Sequence, residues 1–167
     1  MIRRFESSCP ITKESVMRQL AVLALLSAAF AAPVHAQVPN AADIVKAAKW
    51  EAMETVTVEL IEHDFVPKNL VLKANQPYKL VIKNTGEKDH YYTAPEFFKD
   101  AVAWRKVQTP RPNGGEIKAP YFTAFEAYKK VGVVELFIVP VKKGKYDVIC
   151  TIDDHKDLGM FGTITVE

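Results

Sequence analysis

The sequence predicts an antiparallel all-β sandwich or barrel, on two observations. Short runs of alternating apolar and polar residues recur along the chain, and turn signals separate them at close intervals. A length of 167 residues with 49% apolar residues supports one such domain around a real core and excludes disorder. Two cysteines make at most one bridge, which excludes a disulfide-dense scaffold. Charge is nearly balanced, with 22 Lys+Arg against 20 Asp+Glu, so a nucleic-acid partner is not expected.

Residues 1–36 read as a leader. From Met17 the chain runs Met-Arg-Gln, then an apolar stretch from Leu20 to Ala32, then Pro33-Val34-His35-Ala36. That is the charged start, apolar middle and small-residue cleavage site of a secretory signal peptide (17–36), cut after Ala36. Neither this run nor any later one reaches the roughly 20 apolar residues of a membrane helix, so no span is expected in the mature chain. The leader holds Arg3, Arg4, Lys13 and Arg18 against Glu6 and Glu14, so its removal turns a formal net charge of +2 into neutrality. Cys9 leaves with it, and Cys150 becomes the lone thiol in an oxidising compartment, the periplasm. An unpaired thiol there is a liability unless it is buried, metal-bound or used in chemistry.

Residues 37–54 read as a linker with a short helix over 41–53, capped by Asn40, with Asp43 in its first turn and a weak stripe of Ile44, Ala48 and Ala52. The β domain spans 55–167. Val56, Val58 and Leu60 alternate with polar or outward residues, and Leu70 and Leu72 resume the period after Pro67. Asn75-Gln76-Pro77 turns the chain into Tyr78, Leu80 and Ile82, and that run ends at Asn84-Thr85-Gly86. A helical excursion is predicted near 95–108: Pro95 and Glu96 suit a first turn, Phe97, Ala101 and Trp104 share a face, and Arg105 and Lys106 suit the carboxyl end. Thr109 to Gly115 is a loop. Tyr121, Phe122, Phe125 and Tyr128 fit either strand or helix, and an aromatic group of this kind is more often core than binding surface. Val134, Leu136 and Ile138 form a strand before Pro140, Lys142-Lys143-Gly144 turns into Tyr146, Val148 and Cys150, and Thr163 to Val166 closes the chain.

The chemistry sits in the last segment. Cys150 ends a strand, His155 follows five residues later, Met160 five after that, and a connecting loop of this length lets thiolate, imidazole and thioether converge. A fourth ligand must come from elsewhere, and the mature chain offers His63 and His90. His90 lies past the strand that ends at Asn84, in a loop, where sandwiches display functional residues. His63 lies inside or beside a strand and reads as structural or exposed rather than as a ligand. One Cys, two His and one Met form a soft to borderline set that selects copper and supports one-electron transfer.

These residues carry a family likeness. The segment Gly144 to Val166, with His90 upstream, resembles the cupredoxins, the blue type 1 copper proteins. The resemblance implies a Greek-key β-sandwich with one copper ion near an end, and His90, Cys150, His155 and Met160 as its ligands. Gly144 and Tyr146 match the family's Gly-x-Tyr strand before the cysteine. Tyr91 and Tyr92 stand where many members have Asn after the first histidine, and Asp153 and Asp154 replace a Pro-Gly-like turn.

The resulting expectation is a monomeric periplasmic electron carrier, not an enzyme. Its partner is a redox protein such as a cytochrome or a copper enzyme, met transiently. His155 presents an exposed ring edge, and Leu158, Met160 and Phe161 form an apolar docking rim. The alternative is copper binding for tolerance or delivery, without an electron-transfer role. A thiol enzyme using Cys150 with a histidine base lacks any oxyanion motif. Copper oxidases and nitrite reductases need further histidine clusters, whereas the mature chain has three histidines, and dinuclear centres need a second cysteine.

Overall fold

The computed structural model describes residues 38–110 and 114–167. The leader and its cleavage position lie outside the described residues. No helix among the described residues is long and apolar enough to cross a membrane.

The amino-terminal helix is shorter than the sequence predicts. Helix α1 covers Ala41–Ala47, the chain turns extended at Ala48, and a single 3-10 turn follows at Trp50–Ala52. Asn40 occupies the cap position in a left-handed conformation (φ 56°), with no side-chain cap bond. Tertiary packing holds the helix instead. Ala41, Ile44 and Ala48, with Trp50, cover a satellite cluster of Val38, Ala103 and Val139, and Arg105 stacks over Trp50 at 4.6 Å.

Eleven strands among the described residues form two facing layers. They are β1 (Glu54–Ile61), β2 (Asp64–Val66), β3 (Asn69–Leu72), β4 (Tyr78–Asn84), β5 (His90–Thr93), β6 (Val102–Gln108), β7 (Glu116–Ile117), β8 (Ala124–Ala127), β9 (Val133–Pro140), β10 (Gly144–Ile149) and β11 (Phe161–Val166). One sheet runs β2-β1-β4-β9-β6-β7 and the other β3-β11-β10-β5-β8. The sheets are mixed rather than purely antiparallel. β1 pairs parallel to β4, with Val58 beside Ile82, and β11 pairs parallel to β3, with Ile164 beside Leu70. The chain crosses to the second sheet at β3 and returns for β4, so β4 runs alongside β1 in the same direction.

Alternation along each strand fills the space between the layers. Val58, Leu60, Leu80, Ile82, Leu136 and Ile138 come from one sheet and Leu72, Tyr92, Val148 and Ile164 from the other, all buried.

The excursion is helical only at its start. Helix α2 spans Pro95–Asp100, and Val102–Gln108 is strand β6, paired to β9. Phe97 and Ala101 are fully buried as expected, but Trp104 reaches the aromatic cluster from a strand, with its indole N–H bonded to the Phe98 carbonyl (2.8 Å). A bulge between Trp104 and Lys106 interrupts the two-residue period, which is why β6 reads as helical in sequence. The later aromatic group divides by face. Phe125 is buried on β8 and Phe122 packs on Trp104 at 4.8 Å, while Tyr121 and Tyr128 are exposed.

The turn after β4 is fastened by Asn84, which is fully buried. Its amide donates to the carbonyls of Lys88 (2.8 Å) and Ala127 (2.7 Å), and its oxygen accepts the N–H of Gly86 (2.8 Å). The amide thus ties the segment leading into β5 to β8 across the sandwich. Asn84→Ala strands these groups, each costing about 1–3 kcal/mol where it stays dry. We expect urea unfolding to show a loss of about 2–4 kcal/mol with an unchanged m-value. A loss too small to measure would contradict the role given to this side chain.

Candidate metal centre

Cys150 follows β10 directly, so its side chain projects from the end of a strand whose backbone is paired on both sides. Its N–H donates to the Met160 carbonyl (3.0 Å), extending the β10–β11 ladder to the two ends of the connecting loop. Inside the loop, N–H groups of His155, Leu158 and Gly159 donate to carbonyls of Ile152, Asp154 and Lys156 at 3.0 to 3.1 Å. The Met160 N–H closes the loop on the His155 carbonyl (2.9 Å). Gly159 has φ 109°, a conformation that side chains rarely adopt, and it turns the chain back toward the sheet.

His90 is the first residue of β5, not a loop residue as the sequence predicts. Its partner across the ladder is Ala127, and it alternates inward with Tyr92. The short HYYT run, with Tyr on both faces, hides that period. The adjacent Tyr91 N–H points at the Cys150 sulfur, 3.4 Å away, which places a donor on the side where thiolate charge would develop.

The structure brings His90, Cys150 and His155 together. Their ligand atoms all lie within 4.8 Å of one another, and all three residues are buried. The sulfur stands 3.5 Å from Nδ1 of His155, and the His90 and His155 rings are 5.0 Å apart between centroids. Met160 is fully buried in the main core, its backbone bonded to both Cys150 and His155.

The donor set fits copper. Both ring nitrogens of His90 are buried without a hydrogen-bond partner, an arrangement that is costly unless something accepts a lone pair. Burial, and then the neighbouring His155, lower the proton affinity of His90. A neutral imidazole is the form that ligates a metal. Two such rings with a buried sulfur and a thioether make a soft, largely closed set, unlike the oxygen shells of magnesium and calcium.

Two expectations about the surface change. His155 is 3% exposed, so its ring is largely covered and meets solvent only where it lines a surface depression, and Met160 is buried rather than part of a rim. Leu158 (53%) and Phe161 (50%) are exposed on either side of it. Asp153 and Asp154 are exposed and line an open depression with Glu87, Asp89, Glu126 and His155. His63, which the sequence sets aside, packs edge-on against His155 at 5.0 Å between ring centroids. No local pattern in the sequence marks this contact, which joins the turn between β1 and β2 to the ligand loop.

Neither a protein-family model nor a curated protein matches the sequence. Among solved structures, the copper-containing nitrite reductase of Thermus scotoductus SA-01 superposes with a TM-score of 0.51 at 10% identity. The multicopper oxidase of Campylobacter jejuni superposes with a TM-score of 0.50 at 17% identity. Each match covers 68% of this chain and 30% of the other, so the chain spans under a third of the length of either enzyme. Auracyanin B matches at 18% identity with a TM-score of 0.47, covering 68% of this chain and 88% of its own. The two matches with a TM-score of 0.50 or above show the fold alone, a cupredoxin-like β-sandwich, and the group of His90, Cys150, His155 and Met160 is compatible with one type 1 copper ion.

Proposed function

We propose that the protein is a one-electron carrier that binds a single copper ion through His90, Cys150, His155 and Met160 and exchanges electrons with redox proteins in the periplasm. The carrying observation is the convergence of two imidazoles and a thiol on one buried point. Copper bound there supplies a one-electron change between its cuprous and cupric states.

The chain contributes rigidity, dryness and a docking surface. Cys150 and His90 sit on or next to paired strands, and backbone bonds close the loop that carries His155 and Met160, so the donor atoms have little freedom to follow a change in metal charge. Burial of all four side chains keeps water from the donors. Leu158 and Phe161 offer an apolar approach to the ligand loop, of a size that suits a weak, brief encounter. Lys68 lies over the Phe161 ring at 4.5 Å and adds a cationic edge. A copper deliverer needs ligands that a recipient can reach, and the burial of these donors favours the carrier over delivery. All histidines of the described residues gather at this one place, which favours a carrier over a copper enzyme. Export rests on the signal-peptide pattern of residues 17–36 and on the single thiol of the mature chain.

Adding cupric ion to the metal-free mature protein is expected to produce an intense thiolate-to-copper charge-transfer band. Cys150→Ser is expected to abolish it, and a band that survives that substitution would remove the assignment. Met160→Leu is expected to keep the colour and raise the midpoint potential, because the thioether stabilises the oxidised ion slightly more than an alkyl group does. Voltammetry checks the sign, and a lowered potential or outright loss of copper would count against a weak axial bond.

A further inference from the structure

We propose that His63 is a positioning residue of the metal centre, whose ring fixes the plane of the His155 imidazole by packing edge-on against it. The inference rests on the copper reading of the site. The two ring centroids are 5.0 Å apart and their planes cross at 87°. His63 Nδ1 is buried with no hydrogen-bond partner among the described residues, so on that side the ring is committed to packing rather than to a polar bond.

The backbone that carries His63 is fixed on both sides of the ring. His63 has φ 60°, the left-handed conformation of the two-residue turn that joins Ile61 of β1 to its ladder partner Asp64 of β2. The carboxylate of Glu62 accepts N–H groups of Glu87 and Lys88, in the turn that leads into His90. Lys68 donates through Nζ to the Gly159 carbonyl (3.1 Å), next to Met160, and its own carbonyl accepts the Thr163 N–H (3.0 Å). The segment 62–68 therefore grips both ligand-bearing stretches and holds the His63 ring between them. Rotation of the His155 ring would swing Nδ1 away from the Cys150 sulfur, 3.5 Å distant, and the His63 ring, set nearly perpendicular to it, stands against that rotation. Outer groups that hydrogen-bond to a ligand typically govern metal affinity by 10–100-fold, and a packing contact that orients the ring is set at the low end of that range.

The test uses two substitutions in the mature protein. His63→Asn removes the ring but tolerates the left-handed backbone, and His63→Phe keeps a ring edge. Chelator competition is expected to show His63→Asn binding cupric ion about 10-fold more weakly, with shifted electron paramagnetic resonance parameters and charge-transfer band. His63→Phe is expected to retain the parent affinity and spectrum, and the metal-free melting temperature of His63→Asn to match the parent. Parent-like spectra and affinity in His63→Asn would overturn the proposal, as would equal losses in both variants or a drop in metal-free stability. A parent protein with no thiolate band overturns the copper reading itself, whereas a normal band with a silent His63→Asn removes this inference alone.

Discussion

The stretch of chain that leaves the second sheet at Cys150 and re-enters it at Met160 is closed on itself by backbone hydrogen bonds, and the metal centre depends on that closure. Cys150 and Met160 are joined across the mouth of the loop, and Met160 is joined in turn to His155. The turn in between relies on Gly159, whose backbone angle a side chain would resist. With the loop shut, the backbone positions of Cys150, His155 and Met160 are set by covalent geometry and main-chain bonding.

The fourth comes from a distant part of the sequence, and the sandwich delivers it. β5 lies next to β10 in the second sheet, which sets His90 beside Cys150 and directs the Tyr91 N–H at the sulfur. Asn84 and Glu62 fasten the turn that precedes β5, one by reaching across to β8 and the other from the turn after β1. Packing of the two layers therefore does more than stabilise the fold: it converts a long sequence separation into donor atoms within 4.8 Å of one another.

Much of this was legible in the sequence where local rules dominate. Alternation located β1, β4, β9 and β10, and the Cys150, His155, Met160 spacing on a Gly-Tyr strand named the loop ligands. What stayed hidden depends on neighbours. Alternation reports which face of a strand is buried but not the direction of the strand beside it, so the parallel pairings of β1 with β4 and of β3 with β11 were not visible. The bulge in β6 shifts its side-chain period, and Trp104 then fits a helix stripe that ends at Asp100. Burial of His155 and the approach of His63 arise from the turn between β1 and β2 folding over the ligand loop, a contact without any local signature.

A buried thiol beside two buried imidazoles has one economical explanation, a soft metal ion shared among them. Main-chain bonding holds the cage in place, which suits a centre that changes oxidation state with little rearrangement. Copper K-edge X-ray absorption on the loaded mature protein tests this most directly. One short copper–sulfur distance with two imidazole nitrogens is the predicted first shell. A shell without sulfur, or with a single imidazole, would contradict it.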